Sequence, residues 1–116
     1  MEKANRKPLE VRLDARSNGS SVRVKVQFFA GVRELVGSRE ETVELPDKST
    51  VRALLDSLVK GHGERLKDYL YDPKTGELRR SIQLLIGDRP VSMIDGMSTV
   101  LSDGCAFAII PPVGGG

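Results

Sequence analysis

From Ser21 the chain alternates strictly. Val22, Val24, Val26 and Phe28 fall on one side of the period; Arg23, Lys25 and Gln27 fall on the other. A period of two, rich in β-branched residues, predicts a half-buried strand over Ser21–Ala30. Gly31–Gly37 (GVRELVG) reads as a single helical turn closed by glycine. Val43 and Leu45 alternate with glutamates until Pro46 stops the run, so the two strands are expected to pair as a hairpin over a wide connection.

The period then changes. Val51, Leu54, Leu55 and Leu58 lie at helical spacing within Asp47–Gly63, the strongest helix signal in the chain. Thr50 or Ser49 can cap its start by accepting from a free first-turn N–H, and Gly61 is the expected stop. Leu66, Tyr69 and Leu70 indicate another turn or two of helix, and Asp72–Glu77 (DPKTGE) is turn chemistry. Ser81–Gly87 returns to a short apolar strand, Gly87-Asp88 turns, and PVSM from Pro90 reads as a further short strand. After a second turn at Asp103-Gly104, Cys105–Ile110 (CAFAII) has the near-continuous apolarity of a strand buried on both faces. Strand, strand, helix, then strands predicts an α+β domain, a mixed sheet with one main helix across one face; the β-grasp arrangement fits that order.

Residues 1–21 read as a flexible N-terminal extension, residues 22–110 as the domain and residues 111–116 as an extended tail. The extension ends in SNGSS; its Leu9, Val11 and Leu13 alternate with charges, a pattern shared by a short edge strand and a disordered arm. Charge changes the picture little. The net +2 sits in residues 1–16, which carry five cations against three carboxylates, and the remainder balances at thirteen each. With no basic face to infer and only 4% aromatic residues, nucleic-acid binding is not expected. A lone cysteine, Cys105, and no apolar stretch of membrane-spanning length point to a cytoplasmic protein without a membrane role.

Candidate chemistry on the domain is sparse. His62, the one histidine, stands between glycines and reads as a solvated loop residue. Cys105 opens an apolar strand and reads as a small core residue, with no visible base to activate it. Metal-ligand spacing and phosphate-loop fingerprints are both missing. Arg33 in its tight turn is read as structural, bonding nearby carbonyls.

The tail PPVGGG draws the chemistry to itself. Pro111 and Pro112 fix φ and lack N–H, so they end the sheet and favour an extended exit. Val113 offers one apolar contact. Gly114, Gly115 and Gly116 carry no side chains and can thread a tunnel that any Cβ would block. Six extended residues reach at most about 20 Å. The expected reactive group is the α-carboxylate of Gly116, inert until a partner activates it.

Three stretches carry a family resemblance: KVQFFAGVRELVG (Lys25–Gly37), LPDKSTVRALLDSL (Leu45–Leu58) and LSDGCAFAIIPPVGGG (Leu101–Gly116). Together they resemble the MoaD/ThiS class of ubiquitin-like sulfur carriers, nearest the small subunit of molybdopterin synthase. The resemblance covers residues 22–116 and implies a β-grasp fold. It implies that an E1-like adenylyltransferase, using ATP, adenylates the terminal glycine, which becomes a thiocarboxylate. The partner receiving the sulfur is then the molybdopterin synthase large subunit. The resemblance further implies a carrier subunit of a heteromeric synthase that is not an enzyme alone and binds no cofactor or metal. Gly115 and Gly116 match the terminal glycine pair, with Gly114 in the variable slot. Phe29, Pro111, Pro112 and Val113 match partner-contact positions, while Phe28 is assigned to the core. Ile86-Gly87-Asp88 replaces the Val-Asn-Gly of many relatives. The alternatives are conjugation through Gly116 to lysines of other proteins, sulfur delivery for thiamine or tRNA, and an interaction module with an inert tail.

Overall fold

A computed structural model describes residues 21–112, and expectations for residues 1–20 and 113–116 lie outside it. The alternating run forms β1 (Ser21–Phe28), with Val22, Val24, Val26 and Phe28 buried as the period requires. Its antiparallel partner β2 (Glu40–Pro46) pairs from Ser21 opposite Pro46 to Gln27 opposite Glu40. The connection between them is longer in helix than expected. α1 spans seven residues, Ala30–Val36, and ends on Gly37 in the left-handed region (φ 80°). The Phe29 carbonyl accepts from Val32 N–H (3.2 Å) and Arg33 N–H (3.4 Å), and the Arg33 carbonyl accepts from Gly37 N–H (2.8 Å), so a second turn follows the first before the glycine closes the helix.

α2 (Val51–His62) buries Val51, Leu54, Leu55 and Leu58 against the sheet, and the Thr50 hydroxyl accepts from Ala53 N–H at 3.3 Å, the cap the sequence predicted. The helix does not stop at Gly61. It continues through His62 and ends at Gly63, whose φ of 90° only glycine adopts cheaply. His62 is therefore not a solvated loop residue. Its Nε2 lies 2.8 Å from Glu41 Oε1, and its ring stands edge-on to Phe28, centroids 6.3 Å apart. It fastens the end of α2 to β2. α3 (Glu64–Leu70) buries Leu66 and Leu70, as their spacing implied.

β3 (Gln83–Ile86) turns through Gly87-Asp88 into β4, which is only Arg89–Pro90; a short helical turn at Val91–Met93 replaces the rest of the expected PVSM strand. Pro90 has no N–H to extend the ladder. β5 (Ala106–Ile110) is central and buries Phe107, Ala108 and Ile109. Cys105 falls one residue before it and is half-buried. The five strands lie in the order β2-β1-β5-β3-β4, with β1 and β5 parallel and every other pair antiparallel. This is the mixed β-grasp sheet, with α2 as its main covering helix and α1 and α3 completing the cover.

Candidate functional site

Register decides what surrounds the tail. Because β1 and β5 run parallel with Phe28 opposite Ile109, both strands finish at one end of the sheet. Phe29 leaves β1 beside the point where Pro111 leaves β5. The antiparallel pairs bring two strand starts to the same end: Gln83 of β3 opposite Ile110, and Glu40 of β2 opposite Gln27. The root of the tail is thus ringed by residues from four strands.

Phe29 is half-buried, with extended backbone (φ −127°, ψ 153°), while the next residue, Ala30, has φ 50°. A left-handed alanine costs on the order of 1 kcal/mol, so the bend from β1 into α1 is held by its surroundings. Arg33 supplies one clamp. Its Nε–H donates to the Phe28 carbonyl at 3.2 Å, and its guanidinium carbon lies 5.9 Å from the Phe29 ring centroid. The structural role expected of Arg33 is this one, and it also fixes the aromatic ring.

The other flank is built from α3 and the segment before β3. Pro112 shares a cleft of about 290 Å³ with Asp68, Tyr69, Arg79, Ser81 and Ile82. Arg79 donates to the Asp68 carbonyl from Nε (3.3 Å) and Nη2 (2.9 Å). Phe29, Arg33, Arg39 and Glu40 line a second cleft of about 300 Å³. Of the prolines assigned to partner contact, Pro112 is exposed but Pro111 is buried. Pro111 therefore seats the tail in the body and offers no free surface. Val113, Gly114, Gly115 and Gly116 lie outside the described residues.

Elsewhere the folded body brings little chemistry together. Among the described residues no group of three or more His, Cys, Asp or Glu could hold a metal ion. Cys105 precedes β5, at the opposite end from the tail, and the His62 ring is engaged by Glu41. No helix among the described residues is long and apolar enough to cross a membrane. The sequence reading missed three exposed apolar residues, Met93, Ile94 and Val100. Met93 was hidden by the strand assignment, whose alternation gave no sign that the short helical turn would push it outward.

Residues 26–116 match the ThiS family. The chain is 34% identical over 93 residues to small archaeal modifier protein 3 of Haloferax volcanii, covering 80% of this chain and 98% of that protein. It is 33% identical over 97 residues to the molybdopterin synthase sulfur carrier subunit of Arabidopsis thaliana, covering 84% and 86%. Among solved structures, the crystal structure of small archaeal modifier protein 1 from Haloferax volcanii superposes with a TM-score of 0.71 at 29% identity, covering 81% and 99%.

Proposed function

Since the chain belongs to the ThiS family, as a sulfur carrier of the MoaD/ThiS type, we propose that it carries sulfur as a thiocarboxylate on Gly116 and serves as the small subunit of a molybdopterin synthase. The observation that carries this reading is the parallel β1–β5 pair, which sets a half-buried aromatic beside the root of a tail whose sequence ends in three glycines. A rigid body that seats Pro111 fixes the origin of the tail. Three glycines then reach into a partner without side chains to obstruct them.

The chemistry follows from what a carboxylate lacks. It is a poor electrophile, so an E1-like adenylyltransferase first joins it to AMP, consuming ATP. Pyrophosphate leaves in that step; a donor's sulfide-level sulfur then attacks the acyl carbon and expels AMP, which departs with the former carboxylate oxygen, and the large subunit of the synthase uses the sulfur left on Gly116. This chain contributes reach and docking, through Phe29, Pro112 and Val113, and needs no cofactor or metal of its own. The cytoplasm, where the partners and ATP are available, is the compartment proposed. The relative named as a modifier protein favours a second reading, in which the activated Gly116 is passed to a lysine.

Intact-mass analysis after reaction with the adenylyltransferase, ATP and a sulfur donor decides between them. The carrier reading expects sulfur in place of one oxygen, and loss of that product on deleting Gly116. Glycine remnants of this tail on lysines, without a thiocarboxylate, would instead establish conjugation.

A further inference from the structure

We propose that residues 9–13 add as a strand to the outer edge of β2, parallel to it, and close that edge. β2 ends the described sheet, with β1 on one side and no described strand on the other. The Phe28 N–H donates to the Arg39 carbonyl at 2.9 Å, so the hydrogen-bonded pairs with β1 recur at Glu41, Val43 and Leu45. Glu40, Thr42 and Glu44 therefore turn their backbone N–H and C=O groups outward, a template for one more strand. The core is also thinnest on this side. Val43 and Leu45 keep 8% and 7% of their surface, against 0% and 3% for Val24 and Val22 opposite them on β1.

Connectivity selects the occupant. β1 begins at Ser21, opposite Pro46, so the chain before it enters one strand spacing from the end of β2. In that preceding sequence Leu9, Val11 and Leu13 alternate with Glu10 and Arg12, the period of a half-buried strand. With Asp14 set beside Pro46, residues 15–20 cross two strand spacings, about 10 Å, and can reach about 20 Å. The slack makes the turn, for which SNGSS (Ser17–Ser21) is suited. A strand laid in the opposite direction would need its linker to return about 20 Å along β2 as well as about 10 Å across, stretched nearly straight with no residues left to turn. The direction is therefore parallel to β2.

Two constraints set the register. Leu9, Val11 and Leu13 belong on the core face, beside Val43 and Leu45, and Glu10 beside Thr42 achieves this while setting Arg12 beside Glu44. Sliding by two residues either way sets Glu10 beside Glu40 or Glu44, which pairs like charges. Glu44 already faces Arg23 across β1, and Thr42 faces Lys25, so charge chooses the register and does not supply the attraction. In this register the Leu9 carbonyl accepts from Thr42 N–H, and Val11 N–H donates to the Thr42 carbonyl; Val11 and Leu13 serve Glu44 likewise. Pro8 falls beside Glu40 with its nitrogen facing away, so its missing N–H breaks no bond. A second copy of the chain fits less well: two β2 edges paired antiparallel about Thr42 would set Glu40 of each against Glu44 of the other.

Amide hydrogen exchange of the full chain, followed by NMR, tests this with Val11→Pro and Glu10→Pro beside the parent. Val11→Pro deletes the N–H aimed at the Thr42 carbonyl; Glu10→Pro deletes one that faces away from β2. The Thr42 and Glu44 amides should exchange about tenfold or more slowly in the parent than in Val11→Pro, with Glu10→Pro within about threefold of the parent. The Val43 and Leu45 amides, which face β1, should stay protected in all three and show that the domain is folded. Equal exchange of Thr42 and Glu44 in the parent and Val11→Pro, or equal loss of protection in both variants, would overturn the proposal. Protection that appears only as protein concentration rises would assign the edge to a second copy and overturn it too. None of these outcomes bears on the chemistry proposed for Gly116.

Discussion

At the residue scale, Tyr71 is the polar group least well served by the fold. Its hydroxyl is buried without a hydrogen-bond partner among the described residues. Burial raises its pKa, the Asp56 carboxylate raises it further, and Arg52 opposes both. The unfolded chain therefore loses this proton at a lower pH than the folded one. Stability from Tyr71 is full below the ordinary tyrosine value of about 10 and declines as pH rises through the higher folded value. Tyr71→Phe removes both the stranded hydroxyl and the titration. Urea unfolding should show it more stable by about 1 kcal/mol at neutral pH. Above pH about 10 the variant should lose less stability than the parent does.

At the element scale, α1 meets α3 through Gly31. A Cβ there would overlap the Tyr69 hydroxyl. Alanine would gain up to about 1 kcal/mol of helix propensity, but overpacking costs about 1–3 kcal/mol, so Gly31→Ala should lower the melting temperature. Adding Tyr69→Phe deletes the obstructing oxygen and should recover most of the loss, which thermal unfolding of the three variants would establish. Elements with a long, regular period were legible in the sequence. β1, β2 and α2 stood out because the regularly spaced apolar residues of each are buried. Ends were not. Gly61 is the expected stop and Gly63 the observed one, and only the backbone separates them: Gly61 fits the helix facing open space, while Gly63 takes the positive φ. The same limit applies to the site. Phe29 and the tail could be picked out as motifs, but the burial of Pro111 and the cleft that Pro112 shares with Arg79 depend on strand register. No local pattern encodes which strand ends share one edge of the sheet.

At the scale of the whole molecule, body and tail are separable in energy. β5 completes its ladder at Ile110, and Pro111 is the last buried residue described. Truncation after Pro112 should therefore leave the melting temperature within about 1–2 °C of the parent, because three of the four residues removed are glycines with no side chain to bury, while sulfur transfer is abolished. A calorimetric scan beside an intact-mass assay would show the two effects apart. A truncation that unfolds the domain would mean that the last four residues belong to the core.

The central rung of the sheet has a consequence in time. β1, the first described strand, lies against β5, the last, and the backbone N–H of Arg23 is met by Asp103 across 80 residues of sequence. Such a closure is entropically expensive and slow, and it rewards nothing until the final strand exists. A chain still being synthesised, or one cut between these strands, has no middle to its sheet and no seat for Pro111. Its terminus hangs from an unfolded string. Presentation of the proposed reactive end thus acts as a certificate of completion, withheld until the first and last strands have met.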